Sequence, residues 1–413
     1  MSADASAEKS RVHPSLFFLL YLPYGMSGSY PTVTLAYLLK QGHVSVLAIA
    51  AMGSISLLPQ TWKALWSPVI DATLTYKSWY LMSAVLSALG MAATGFVPAN
   101  NASVVLIDWL VFTFSLASTL ISMTTDGLIA HSVPLEKKGS AAGWAQAGNL
   151  GGGSIGGGVA LYLAVHAHAN WVGGVTMMVF SLASCVGLFF IAEPEHTHRA
   201  EKIFTTMLNI VKDVWSMAKS RLGYLAMILV LLPAGTGAAA NLWSAVADNW
   251  GASADIVALV TGVLGGIVAL VGSLLAGWIL DLFDRKGGYI GGAIGMALVA
   301  AAMAAAPRTP AMFIVFTLVY ALFNGYMYAA YSAVMLEAIG RGAAATKSPL
   351  FGSLTNMPIA LMTFVDGAAQ TKWGSGGMLL TEALVGIGMM LTFLALAALT
   401  RPRGGANLAG QAG

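Results

Sequence analysis

Charge is what this sequence has least of. Asp, Glu, Lys and Arg make up 9% of its 413 residues, against about 25% in a soluble domain. So little charge does not clothe a water-facing surface, and a soluble globular fold is excluded. Cysteine is scarcer still. The lone Cys185 sits in an apolar stretch, which rules out a disulfide framework and a cysteine metal site. The histidines (His13, His43, His131, His166, His168, His196 and His198) fall in loops or near helix ends and are expected to be solvated. No Walker loop, no His-Glu-x-x-His and no carboxylate pair suited to hydrolysis occurs. An enzyme, a cofactor and a metal are therefore not expected. Gly151-x-Gly153-x-x-Gly156 and Gly152-x-Ser154-x-Gly156 have the spelling of a dinucleotide fingerprint and a nucleophile elbow. Both need a strand-turn-helix setting, which a glycine-rich apolar run does not supply. The net charge of +3 sits mostly in short loops and implies no nucleic-acid partner. The first fourteen residues hold no cleavable signal pattern, so the first apolar run is expected to act as an uncleaved signal-anchor.

What is abundant is apolar: 57% of residues are hydrophobic and the mean hydropathy is +0.76. Runs long enough to cross about 30 Å of hydrocarbon fall near 15–39, 44–70, 78–97, 102–130, 140–166 and 172–192, then near 222–248, 255–281, 288–306, 311–339, 347–370 and 376–399. The expected architecture is an all-α integral membrane protein of twelve transmembrane helices in two six-helix bundles. A tail (1–14) precedes an N-terminal bundle (15–192), and a linker (193–221) leads to a C-terminal bundle (222–399) and a second tail (400–413). In the linker Ile203, Phe204, Met207, Leu208, Val211 and Trp215 recur at helical spacing, which predicts an amphipathic helix on the membrane surface. With the N-terminus inside, Lys9, Arg11, Lys77, Lys137, Lys138 and their counterparts in the later inner loops face the cytoplasm, and only Lys40, Arg308 and Lys372 face out. That asymmetry places both termini in the cytoplasm, with the lipid of a bacterial inner membrane as the surround.

The halves repeat. Leu22-Pro23-x-Gly25 recurs as Leu232-Pro233-x-Gly235, and Asp71 recurs as Asp281, both at an offset of 210; Asp126 and Glu337 differ by 211. A duplicated six-helix unit with a midplane site is a common transporter design.

One segment breaks the apolar pattern: Gln60-Thr-Trp-Lys63-Ala-Leu-Trp66-Ser-Pro68-Val-Ile-Asp71. Lys63 lies about 12 Å inside the second span at 1.5 Å per residue. A charge there faces water, a partner or a ligand, which points to a polar path through the membrane. Its readings are a snorkelling cation, an anion contact for a carboxylate or phosphate, or a salt bridge to Asp126. Ser56, Gln60, Lys63 and Ser67 share one face of the second span, as do Ser115, Thr119, Ser122 and Asp126 in the fourth. Such stripes face a cavity or act as helix–helix glue. Asp126 is either a structural partner at the cytoplasmic gate or a proton carrier, loading on one side and releasing on the other. Asp71, Asp281, Arg285, Lys286 and Glu337 read as latch residues.

The remaining cavity candidates are aromatic or amide. The first span carries Tyr21, Tyr24 and Tyr30 among Pro23, Gly25, Gly28 and Pro31. The seventh carries Asn241 after Pro233, Gly235 and Gly237. Asn324, Tyr328 and Tyr331 lie at i, i+4 and i+7 in the tenth, and Gln146, Asn149 and Asn356 add amides. First and seventh helices broken at matching positions are the pattern expected around a site, although interfacial packing accounts for single tyrosines. The glycines of the fifth span (Gly148 to Gly158) and of the eighth (Gly262, Gly265, Gly266, Gly272), many of them four residues apart, are expected to let helix backbones approach closely.

Gly277-Trp-Ile-Leu-Asp281-Leu-Phe-Asp-Arg285-Lys286-Gly287 resembles the loop motif of the major facilitator superfamily. The altered first-half version, Trp66-Ser67-Pro68-x-x-Asp71, resembles the branch holding AmpG-type muropeptide permeases, acetyl-coenzyme A transporters and some siderophore permeases, as do Thr124-Thr125-Asp126-Gly127 and Glu136-Lys137-Lys138-Gly139. The chain departs from that branch at Ala130, where a second aspartate is common, and at Asn149, where arginine is common. The short length is closer to its siderophore-permease-like members. The resemblance implies a monomeric secondary transporter that imports a small amphipathic solute with protons, its glycine-rich fifth and eighth spans meeting and sliding on each other across the halves. Proton-antiport efflux of lipophilic compounds is the alternative.

Overall fold

The computed structural model describes residues 12–134, 137–193, 221–282, 285–339 and 352–399, with Leu208, Lys212, Trp215 and Lys219 besides, and among them there is no strand. Helices lie over each expected span. They are α1 (16–41), α2 (46–72), α3 (Tyr76–Phe96), α4 (101–132), α5 (138–166), α6 (Asn170–Phe190), α7 (221–250), α8 (254–282), α9 (Arg285–Ala305), α10 (Pro310–Ile339), α11 (356–373) and α12 (375–399). Gly374, at φ +68, turns α11 into α12. Loop residues set several starts: Ser45, Thr75 and Ser253 each accept the backbone N–H three residues on, satisfying a donor that the first helical turn leaves open. Glu193 does the same from a distance. Its two carboxylate oxygens accept the Tyr76 and Lys77 N–H groups at 2.9 and 3.2 Å, tying the end of α6 to the start of α3.

Among the described residues, seven helices are long and apolar enough to cross a membrane, with α11 and α12 taken as one. The segments outside that set are α1, α2, α5 and α7. In α2 and α7 the helix is interrupted, and in α1 and α5 proline, glycine and tyrosine replace leucine and valine.

Packing repeats between the halves. α1 lies on α5, α2 on α4 and α3 on both α4 and α6; α7 lies on α11, α8 on α10, and α9 on α10 and the α11–α12 hairpin. Joins that cross between the halves include α1 with α7 and α8, α2 with α7 and α11, and α5 with α8. On the face opposite the chain ends these joins are closed. His166 of α5 lies 3.6 Å from Asp255 of α8 across the halves, and within the second half Trp250 is fully buried under the Arg308 guanidinium, 4.2 Å from its ring centroid.

Two expectations about the helices are corrected. The first span is not broken at its prolines. α1 runs through Pro23 and loosens only into a π-helical stretch, Tyr30–Leu35, whereas α7 opens fully at 232–237, with Gly235 and Gly237 at φ +66 and +70. The reason lies in α5, whose glycines let α1 sit so close that its backbone is held. A Cβ on Gly148, Gly152 or Gly156 would lie 2.2, 2.2 or 2.5 Å from the carbonyl oxygens of Phe18, Leu22 and Met26. Ser29 and Thr34 add bonds to the Gly153 and Gly156 carbonyls at 2.6 and 2.8 Å. This also corrects the second expectation: most of the glycine stripe of α5 serves α1 inside the half. Only Gly157 and Gly158 meet Gly262 of α8. Three π-helical stretches converge there, from α1, α5 (Ile155–Val159) and α8 (Ala258–Leu264).

The tails and most of the expected surface helix at 193–221 lie outside the described residues. Within it, Lys219 places its ammonium 5.7 Å from the Trp215 ring centroid.

Candidate functional site

The first-half wall is a polar relay on α1, α2 and α4. Tyr21 donates to Asp126 at 2.7 Å and stands edge-on to Tyr24, with centroids 5.6 Å apart. Tyr24 donates to Gln60 at 3.1 Å. The Lys63 ammonium lies 3.4 Å from the Tyr24 hydroxyl and 5.3 Å from its ring centroid, a cation–π placement. Asp126 is exposed, toward the side that bears the chain ends. Lys63 makes no salt bridge with Asp126; the single ion pair among the described residues is His166–Asp255.

Lys63 does not continue the helix of α2. Trp62 leaves helical geometry at φ −121 and ψ 10, and Lys63–Trp66 forms a 3-10 turn. Pro59 and Pro68 each remove a donor from the backbone ladder, so the chain rewinds between them. The expected continuous stripe from Ser56 to Ser67 is therefore broken. The stripe on α4 is corrected too. Thr119 and Ser122 are buried and turn their hydroxyls to their own helix carbonyls, so only Asp126 belongs to the open wall.

The second-half wall is formed by Asn324, Tyr328 and Tyr331 of α10. They line a cavity of about 60 Å³ with Thr236 and Gly235 of the α7 break and Tyr289 of α9. Tyr328 is exposed and within electrostatic reach of Tyr24, so the walls face one another. Asn324 fills the space beside Gly237, where a Cβ would meet its side-chain oxygen at 2.4 Å. Between the halves, Gly25, Gly28, Asn149, Gly153, Thr261 and Gly266 surround a larger space of about 280 Å³.

The other candidates lie elsewhere. Tyr30 is fully buried against Phe114, with its hydroxyl on Thr94 at 3.2 Å; it packs α1 on α3 and α4 and faces no cavity. Asn356 donates to the Gly352 and Ser353 carbonyls, so its amide serves its own helix. Asn241 donates to Thr363 at 2.9 Å and joins α7 to α11. Gln146 is exposed on α5, and Arg285 and Lys286 are exposed at the start of α9. The side chains of Asp71, Asp281 and Glu337 lie outside the described residues.

Two carboxyl groups escaped the sequence reading: Asp366 of α11 and Glu382 of α12, both buried. Their signal was present, since an acidic residue within a span is a functional candidate by default.

By sequence, no family model and no curated protein matches the chain. By structure, the chain is similar to the nucleoside transporter NupG (TM-score 0.72, 14% identity, 92% of this chain and 98% of the other). It is also similar to a POT family transporter in complex with a thioalcohol-conjugated peptide (0.71, 11%, 94% and 96%), and to the xylose transporter XylE from E. coli in a partially occluded inward-open conformation (0.68, 15%, 93% and 99%). The chain therefore has the major facilitator fold: an all-helical membrane architecture of two related six-helix halves.

Proposed function

We propose that this protein is a secondary active transporter that moves a small amphipathic organic solute across the bacterial inner membrane by alternating access, in symport with protons. The carrying observation is the facing of two polar walls, Tyr21, Tyr24, Gln60, Lys63 and Asp126 against Asn324, Tyr328 and Tyr331, beneath a face where His166 pairs with Asp255 across the halves. Tyrosine rings offer stacking and hydroxyls to a partly polar ligand. Lys63 supplies the cation for an anionic group, and the exposed Asp126 exchanges a proton with the open side. One similar structure is a xylose-proton symporter, which supports proton coupling without naming the solute. Muropeptide-, siderophore- and acyl-conjugate-like compounds are the solute classes we favour. We assign the halves to 15–192 and 222–399, joined by the 193–221 linker, with both termini cytoplasmic and one chain as the working unit. Arg285, Lys286, Asp71, Asp281 and Glu337 would form the cytoplasmic latch.

The test uses proteoliposomes with an internal pH probe. Muropeptides, siderophores, acyl-coenzyme A compounds, nucleosides, xylose and short peptides are added singly to wild type, Lys63→Ala and Asp126→Asn. A solute that drives proton entry in wild type alone supports the reading and its two residues. Equal entry in the variants removes those residues from coupling. Proton flux of the opposite sign with lipophilic compounds would replace import by efflux.

A further inference from the structure

Asp366 and Glu382 stand eight residues on either side of Gly374, so each lies about 12 Å along its helix from the α11–α12 turn. The hairpin brings them together. Among the described residues, Glu382 is the one charged group that acts on Asp366. Asp366 is 0% exposed and Glu382 7%. Neither oxygen of Asp366, nor Oε2 of Glu382, has a hydrogen-bond partner. Oε1 of Glu382 accepts from the Tyr320 hydroxyl of α10 at 2.8 Å and the Thr236 hydroxyl of α7 at 3.4 Å.

Among the described residues, no cation balances the pair. Arg308 approaches the same turn at Gly376, but its guanidinium lies over Trp250 and donates to the Ala304 carbonyl. Tyr289 of α9 spends its hydroxyl on the Ala234 carbonyl. The titratable group facing the carboxyls from α10 is Tyr320, and from α7 only the neutral Thr236 reaches them. Two ionised carboxylates, buried side by side without a countercharge, are not a stable arrangement. Such a group neutralises by taking a proton.

We propose that Asp366 and Glu382 form a second proton site that holds at least one proton between them, on the half of the protein opposite Asp126. A proton shared between the carboxyls gives two of the three open oxygens a partner in each other. It is added to a carboxylate and lost from a carboxylic acid, with no other bond changed. Its coupling role rests on the symport reading above; proton binding itself does not.

The site has a built-in reader. Thr236, which holds Glu382, lies in the break of α7 and also lines the cavity beside Asn324 and Tyr328. Tyr320 stands edge-on to Trp243 on the other side of that break, with centroids 5.3 Å apart. Gain or loss of a proton on Glu382 therefore pulls on α7 from both sides of its non-helical stretch.

The experiment is infrared difference spectroscopy on the purified full chain in lipid vesicles at neutral pH. No transported solute is needed, so failure of the symport reading does not decide it. The expected result is a protonated-carboxyl stretch in wild type that is kept in Asp126→Asn and lost in Asp366→Asn and Glu382→Gln. Tyr320→Phe should shift the band without removing it. If either amide variant aggregates, that shift carries the decision. A band unchanged in both amide variants and in Tyr320→Phe overturns the proposal. So does loss of the wild-type band when potassium chloride is replaced by sodium chloride, which would mark a sodium site.

Discussion

The Tyr21 hydroxyl bonds the Asp126 carboxylate across 105 positions of sequence at 2.7 Å. That bond fixes the acid of α4 to the helix that carries Tyr24, and through Tyr24 to Gln60 and Lys63. The first-half wall is thus one connected object rather than a set of independent contacts.

Tyr21→Phe removes the donor and leaves the ring. A hydrogen bond to a charged acceptor contributes about 1.5–3 kcal/mol, and the open side of Asp126 lets water replace part of it. The expected outcome is a protein that folds with a slightly lower melting temperature and a solute KM raised severalfold, read by thermal unfolding in detergent and by vesicle uptake.

Gly152→Ala places a methyl 2.2 Å from the Leu22 carbonyl oxygen. Backbone cannot give way as a side chain can, and overpacking of this kind costs about 1–3 kcal/mol. Gly143→Ala is the control. It is exposed in the same helix with nothing within 4 Å of the added carbon, and it should gain about 0.5–1 kcal/mol. Equal melting temperatures for the two variants would contradict this account of the α1–α5 contact.

Gly262→Val acts across the halves. Its Cβ would lie 2.4 Å from the backbone of Gly158, so α5 and α8 could not close on the face opposite the chain ends. With Cys185 replaced by serine, a cysteine at Thr32 in the central space should react faster with an impermeant maleimide from that face. An unchanged rate would move the seal elsewhere.

Gly237→Ala has two separable effects. The residue is left-handed at φ +70, which costs a side chain about 1–2 kcal/mol, and the methyl would strike Asn324. Adding Asn324→Ala should recover the collision and leave the strain, so the double variant is expected to melt between Gly237→Ala and wild type.

Much of this was legible in the sequence. The spans followed from hydropathy, and the 210-residue offset anticipated the repeated packing. Tyr21, Tyr24, Gln60, Lys63 and Asp126 each stand out as polar groups within apolar spans, and they lie together although the helical stripes expected on α2 and α4 do not hold. Other features depended on partners that spacing cannot reveal. Tyr30 reads like Tyr24 until Thr94 and Phe114 are placed around it. Pro23 reads as a break until the glycines of α5 press against α1. Asp366 and Glu382 each stand out as an acid within a span, but sixteen residues apart on a line they become a pair only when Gly374 folds that line back.

A π-helical turn holds one residue more than an α-helical turn. At the joint of α1, α5 and α8, each helix has therefore taken in spare chain at the same level. Removing one residue from such a stretch would rewind it and rotate everything beyond it by about 100°, swapping the faces shown to the opposite half. At this joint the fit depends on how much chain each helix stores, and shortening is a change that no side-chain replacement can mimic.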